Sequence, residues 1–347
     1  MKATDRRETR ARCFIIAEAG VNHNGDLVLA KQLVDAAARA GADAVKFQAF
    51  HAEEIVSPAA PKADYQLART SPDESQLSML RKLELSADQM RVLCEYCAAQ
   101  NILFLATPFD AASVDFLDSL NVPCFKMASG EITNVPLLRH VAGKGRKVIL
   151  STGMSTLDEV AEALQELAAF GCEDVTLLHC VTEYPAPPDQ VNLLSMLTMR
   201  DQLRRPVGFS DHTAGIEISF AAVALGACVI EKHLTLSRQM EGPDHRASLE
   251  PDEFSAMVGG IRNIEAALGD GIKSPAACET ANRLVARRSL VASVAIPAHT
   301  VIRADMIACR RPGTGILPKR LTDVVGRRTT RSFVAGELIE WQGLDAG

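Results

Sequence analysis

No run of apolar residues in this chain approaches the roughly 20 that a membrane-spanning helix needs, so a membrane protein is not expected. The charged amino terminus MKATDRRETRAR leads into FIIAEAG, an apolar stretch too short to act as a secretory core. Aromatic residues are only 5% of the chain, no Lys/Arg cluster lies among them, and the net charge is −6. That combination lacks the basic, stacking surface of a nucleic-acid binder. Cysteine is present but unorganised: nine residues, an odd number, sit mostly in apolar segments. Cys94 and Cys97 form a C-x-x-C, yet the flanks QMRVLCEYCAAQ read as a helix interior, and no second pair completes a zinc site. Buried free thiols in a reducing cytoplasm are the expectation.

What the chain does have is rhythm. The composition is that of an ordinary soluble protein, 47% hydrophobic and 23% charged. Short β-like runs at 14–17, 44–47, 103–106, 124–127, 148–150, 175–178, 207–209 and 229–231 alternate with segments apolar at helical spacing. The segment 156–170 opens with T-L-D-E, a capping box, and closes at Gly171, while 251–268 begins on Pro251. Segment 77–100 is interrupted near Ser86, an N-cap residue type. Residues 49–75 break the rhythm with Pro58, Pro61 and Pro72, which predicts a long loop of the kind that often carries function. Eight strand–helix units within residues 1–270 argue for a TIM (β/α)8 barrel, and no G-x-G-x-x-G follows the first strand to favour a dinucleotide-binding sheet. Residues 271–288 read as a linker. Residues 289–347 read as a small second domain with short β-like runs, too small to bury much core alone and therefore expected to pack on something.

The segment 210–244 is the organising stretch. PVGF, a buried-strand pattern, precedes Ser210, Asp211 and His212, and ACVIEK precedes His233. A helical run lies between, so both imidazoles fall at the carboxyl ends of neighbouring parallel strands, where such folds build active sites. Two imidazoles with open positions around them suit a divalent ion such as manganese or zinc. The other strand ends carry Glu18, Asn22, His23 and Asn24; Lys46 and Gln48; Thr107; Lys126, Ser129 and Glu131; Ser151 and Thr152; His179, Thr182, Glu183 and Tyr184; and Glu231, Lys232 and, further on, Asp244. Lys46 and Lys126 with Thr107, Ser129, Ser151 and Ser210 predict a cationic, hydroxyl-rich pocket for a phosphate and a carboxylate together.

Motifs extend this reading. IIAEAGVNHNG, GADAVKFQ, ATPFD, FKMASGE, LSTGM, HCVTEYPAP, GFSDHTAGIE, VIEKHLTL and GPDHRASLEPDE, in that order, resemble the sialic acid synthase family, and RPGTGILP with the compact C-terminal region resembles its antifreeze-like (SAF) domain. The resemblance runs from about Phe14 to near the C terminus and covers N-acetylneuraminate, legionaminate and pseudaminate synthases. It implies condensation of phosphoenolpyruvate with an open-chain N-acetylated amino sugar, N-acetylmannosamine in the first reading and a 2,4-diacetamido-6-deoxy sugar in the alternative. By the same resemblance, His212 and His233 hold Mn2+ or a similar ion, while Lys46, Thr107, Lys126, Ser129, Ser151 and Ser210 hold phosphoenolpyruvate with Thr182 nearby. Glu18 serves the sugar and the attacking water; Gln48, Tyr184 and Asp244 contact the sugar chain; Glu131 orients Lys126 or water. Arg311 reaches the acetamido group from a second subunit, which implies a domain-swapped homodimer. Thr182 departs from members that carry Asn there. Lys62, Tyr65 and Gln66 are expected to read the far end of the sugar. The competing readings are an aldolase using Lys126 as a Schiff base and a SAF-type binding protein without turnover.

Overall fold

The computed structural model describes residues 12–62, 67 and 74–346. It divides into two compact units, residues 1–270 and 271–347.

The first unit is a closed barrel of eight parallel strands: β1 Phe14–Gly20, β2 Ala44–Ala49, β3 Leu103–Pro108, β4 Cys124–Met127, β5 Lys147–Ser151, β6 Val175–His179, β7 Val207–Asp211 and β8 Val229–His233. Hydrogen-bonded neighbours run in the order β3-β2-β1-β8-β7-β6-β5-β4, and β3 lies beside β4 to complete the ring. The principal helices are α1 Leu27–Ala40, α2 Ala87–Ala99, α3 Ala111–Ser119, α4 Val135–Ala142, α5 Leu157–Ala169, α6 Ser195–Leu203, α7 Glu217–Leu225 and α8 Pro251–Leu268. Local chemistry sets their ends. Asp26 accepts from the amides of Val28 and Leu29 to start α1, and Ser86 with Gln89 and Thr156 with Glu159 form capping boxes for α2 and α5.

Strand residues alternate between two apolar layers, as a pleated strand requires. Ile16, Ala44, Leu105, Cys124, Ile149, Leu178 and Val229 fill the barrel interior. Their neighbours in sequence, such as Ile15, Val45, Phe104, Phe125, Val148, Leu177, Phe209 and Ile230, face the helices and join the larger core. Gly208 permits a close approach inside the barrel: a Cβ there would stand 2.4 Å from Val229 O and 2.7 Å from Leu178 Cδ2.

The long loop expected at 49–75 contains a four-residue helix, Ala52–Ile55, and ends at a further helix, Gln76–Leu83. One turn is too short for its apolar periodicity to be read from sequence. The helix after β6 begins only at Ser195, three residues beyond Asn192, whose φ of 45° is left-handed.

The second unit pairs β9, Ser289–Ala292, antiparallel with β10, Ile307–Arg310. It has a core of its own around Leu290, Ile296, Ile302, Ile316, Val324, Phe333 and Ile339, more than its size led us to expect. Single antiparallel bridges, such as Val291 with Leu338 and Ile296 with Phe333, fold its irregular segments over that core. All nine cysteines are free. No helix among the described residues is long and apolar enough to cross a membrane.

Candidate active site

Beyond the apolar layer inside the barrel, the same inward positions become polar. They enclose a cavity of about 230 Å3 at the carboxyl ends of the strands. Glu18, Lys46, Gln48, Thr107, Lys126, Ser129, Ser151, Thr182, Tyr184, Ser210, His212, His233 and Asp244, all expected from the sequence, line it together. Glu231 and Phe109 line it as well, although the sequence reading gave neither a role.

The charges are arranged as two interlocked pairs. Lys46 Nζ lies 2.7 Å from Glu18 Oε2 and 3.7 Å from Glu231 Oε2, and donates to Thr107 Oγ1 at 3.0 Å. Lys126 Nζ lies 3.4 Å from Glu231 Oε1, which also accepts from Ser210 Oγ at 2.8 Å. All four charged side chains are almost wholly buried. The pocket is therefore not the simple cationic one expected: each ammonium already faces a carboxylate, as burial of a charge demands. Burial opposes ionisation of Glu231, but Lys126 and Lys46 outweigh it and hold its pKa at about 2. For Glu18 burial prevails over Lys46 and raises the pKa to about 7. Burial likewise raises Asp244 to about 6. Two carboxyls poised near neutrality beside one held ionised is a usual arrangement for proton transfer.

His212 and His233 face one another with ring centroids 5.5 Å apart, and the Tyr184 ring sits 4.3 Å from the first and 5.5 Å from the second. Burial lowers the pKa of His212 to about 4 and that of His233 well below 6.5, so both rings are neutral near pH 7. His212 Nδ1 is 2.6 Å from Val181 O, which can only accept. The proton is thus on Nδ1, and the Nε2 lone pair is turned to the cavity, 3.2 Å from Ser210 Oγ. His233 Nδ1 is buried with no hydrogen-bond partner, 3.8 Å from Asp244 Oδ2. No cluster of three or more His, Cys, Asp or Glu residues suited to a metal occurs among the described residues. Two neutral imidazoles with a fixed tautomer on one and an unpartnered nitrogen on the other nonetheless fit a divalent ion with open positions.

The hydroxyl side of the cavity is built around Gly153. Its amide donates to Ser129 Oγ at 2.9 Å, and a Cβ there would lie 2.3 Å from Thr182 Oγ1 and 3.0 Å from Cys180 Sγ. Only glycine lets these groups converge. Ser151 Oγ, Thr182 Oγ1 and Glu231 Oε2 are buried without hydrogen-bond partners.

Two expected residues are elsewhere. Glu131 lies outside the cavity lining, half-buried in the turn Ser129–Glu131, where its Oε2 accepts from Asn134 Nδ2 at 2.7 Å. Arg311 belongs to the second unit, where it is exposed and its Nε donates to Ala286 O at 3.0 Å. Of the loop expected to read the sugar, Lys62 is buried with Nζ 3.7 Å from Glu74 Oε2, and Tyr65 and Gln66 lie outside the described residues.

Residues 33–273 match the NeuB family, and residues 287–345 match the SAF domain. The chain belongs to the NeuB family. This NeuB-family chain is 50% identical over 330 residues to an N,N'-diacetyllegionaminic acid synthase of Campylobacter jejuni, with 94% of this chain and 99% of the relative covered. It is 44% identical to the protein of the same name from Legionella pneumophila, with 98% and 97% covered. Among solved structures it resembles an N-acetylneuraminic acid synthetase from Leptospira borgpetersenii, with TM-score 0.69 and 36% identity over 79% of this chain and 90% of that one. The NeuB-family chain is an enzyme, a phosphoenolpyruvate-using, carbon–carbon bond-forming synthase of nonulosonic acid biosynthesis. The binding-protein reading is thereby set aside.

Proposed function

We infer that this synthase condenses phosphoenolpyruvate with an open-chain 2,4-diacetamido-6-deoxy sugar, giving a nine-carbon 2-keto acid of the legionaminate type and phosphate. The carrying observation is the convergence of Ser151 Oγ, Thr182 Oγ1 and His233 Nδ1, all buried without a hydrogen-bond partner, on a cavity holding two buried lysines. Buried polar atoms without partners are uncommon in a folded chain and suit a ligand that completes them. The choice of sugar rests on the identity to two proteins named N,N'-diacetyllegionaminic acid synthase. It replaces the N-acetylmannosamine of the first sequence reading, since the similarity to an N-acetylneuraminate enzyme is lower, at 36%.

In this reading Lys46, Lys126 and the hydroxyls of Thr107, Ser129, Ser151 and Ser210 hold the phosphate and carboxylate of phosphoenolpyruvate. Gln48, Tyr184 and Asp244 orient the sugar so that its aldehyde carbon faces carbon three of the enol. His212 and His233 would hold a divalent ion, manganese in our reading, which when bound supplies Lewis acidity at the aldehyde oxygen. Carbon three attacks the aldehyde carbon, water adds to carbon two, and the tetrahedral product expels phosphate. Glu18, with its pKa near 7 and Lys46 at 2.7 Å, is suited to take the proton of that water. Arg311 would serve the acetamido group of a partner subunit's substrate, making the working form a domain-swapped homodimer in the cytoplasm.

The test is the product mass formed from phosphoenolpyruvate with the 2,4-diacetamido-6-deoxy sugar and, separately, with N-acetylmannosamine. Faster formation of the diacetamido product supports the assignment. Exclusive use of N-acetylmannosamine would overturn it.

A further inference from the structure

On the outward face of β7 and β8 lies a second charged pair, which the cavity does not use. Asp211 and Lys232 stand directly opposite each other in the register of the two strands. Neither side chain exposes any surface: both are 0% accessible. Lys232 Nζ lies 3.1 Å from Asp211 Oδ2 and donates to Thr213 O at 2.6 Å. Asp211 Oδ1 accepts from Thr213 N at 2.9 Å and Thr213 Oγ1 at 2.7 Å, and Oδ2 accepts from Ser219 Oγ at 2.6 Å.

The position of these groups in the chain matters more than their charge. Asp211 immediately precedes His212, Thr213 immediately follows it, and Lys232 immediately precedes His233. Alternate strand residues point to opposite faces, so the pair cannot itself touch anything in the cavity. It acts on the backbone instead, tying the carbonyl of Thr213, the residue after His212, to the side chain before His233. The carbonyl oxygens of both histidines are held too: Ala186 N donates to His212 O at 2.9 Å, and Leu249 N donates to His233 O at 2.9 Å. A buried ion pair is a poor device for stability alone, because apolar replacements of similar volume are often as stable or more so. Its place in the dry layer between sheet and helices therefore needs another reason.

We propose that the Asp211–Lys232–Thr213 clasp is a positioning device that fixes the separation and mutual orientation at which His212 and His233 receive a divalent cation. The inference rests on the reading of those two histidines as the metal site. It assigns no contact with the cation to Asp211 or Lys232.

The test measures manganous ion binding to the full chain, from the paramagnetic resonance signal of free Mn2+, and records the unfolding midpoint of each metal-free protein. The variants are Lys232→Met, Asp211→Asn, Ser219→Ala and the double change Asp211→Asn/Lys232→Met. Lys232→Met and Asp211→Asn should each weaken Mn2+ binding by about 10–100-fold, the range usual for groups that orient metal-binding side chains. Ser219→Ala should weaken it less. The double variant removes both charges and should regain much of the unfolding midpoint while remaining weak for Mn2+, since Thr213 O has lost its donor. A merely structural pair would give the opposite pattern, with affinity returning alongside stability. A folded double variant and a folded Ser219→Ala variant that both bind Mn2+ as the wild type does would overturn the proposal, even if Lys232→Met fails to fold. A wild type that binds no Mn2+ would instead sink the two-histidine metal site itself.

Discussion

Replacing Glu231 by glutamine tests the charge balance of the cavity most directly. The carboxylate lies 3.4 Å from Lys126 Nζ and 3.7 Å from Lys46 Nζ, and accepts from Ser210 Oγ at 2.8 Å. Glutamine keeps the shape and removes the charge, leaving two buried ammonium groups to share Glu18. Two routes give the cost. Holding the pKa at about 2 instead of 4.5 corresponds to roughly 3 kcal/mol in favour of the carboxylate over its neutral form. Removing one partner of a buried ion pair costs about 3–5 kcal/mol in other proteins. For a domain of this size roughly 3 kcal/mol lowers the unfolding midpoint by about 6–12 °C. The pH dependence has a definite sign. A carboxyl with a depressed folded-state pKa contributes stability that is complete above pH 4.5 and is lost as pH falls towards about 2. The gap between wild type and Glu231→Gln should therefore be widest above pH 4.5 and close below it. Phosphoenolpyruvate, itself an anion, should stabilise the variant more than the wild type. Calorimetric scans across pH 2–7, with and without that ligand, measure all of this. An unchanged midpoint at pH 7 would refute the argument that Glu231 is the central counter-charge.

Three further outcomes are expected. Lys126→Ala should raise the KM for phosphoenolpyruvate by at least about tenfold, since losing a hydrogen-bonded charged contact in a closed site costs roughly 2–5 kcal/mol; a change confined to the sugar's kinetics would move Lys126 out of the phosphate site. Chelation should abolish turnover and manganese restore it, while His212→Ala should stay folded but inactive, and full activity of that variant in metal-free buffer would refute the assignment. Mixed His212→Ala and Arg311→Ala subunits should regain part of the activity that each lacks alone, because some dimers then pair an intact metal site with an intact Arg311. Absence of recovery in a mixture shown to have exchanged subunits would remove Arg311 from the partner's site.

The order of strands and helices was readable in the sequence because the elements carry their own periodicity and several helices, such as α1, α2 and α5, their own caps. What the pattern hid was where strands end. β1 runs on to Gly20, β5 to Ser151, β7 to Asp211 and β8 to His233, past the last apolar residue, because inward positions turn polar while the backbone stays extended. Glu231 shows the same effect in the site. It shares parity with Val229 and His233 and so faces inward with them, a signal present in VIEKH, but a single glutamate at a strand end reads as solvated. The carboxylate counter-charges could not be inferred from the lysines alone, since nothing local in sequence joins Glu18 to Lys46 or Glu231 to Lys126. Asn134 likewise draws Glu131 aside through a turn with no sequence pattern of its own.

The opposite facing of successive residues at the ends of β7 and β8 sets how this protein tolerates change. Ser210, His212, Glu231 and His233 look into the cavity, while Asp211 and Lys232 look into the packed layer behind it. Replacing an inward residue should spoil catalysis and spare cellular abundance more often than replacing its neighbour. A saturation scan scored for both properties should trace a saw-tooth of two-residue period through 207–213 and 229–233. Selection for expression alone would therefore be blind to half of the positions that matter, and libraries meant to redirect the synthase to another sugar belong at Gln48, Tyr184 and Asp244 instead.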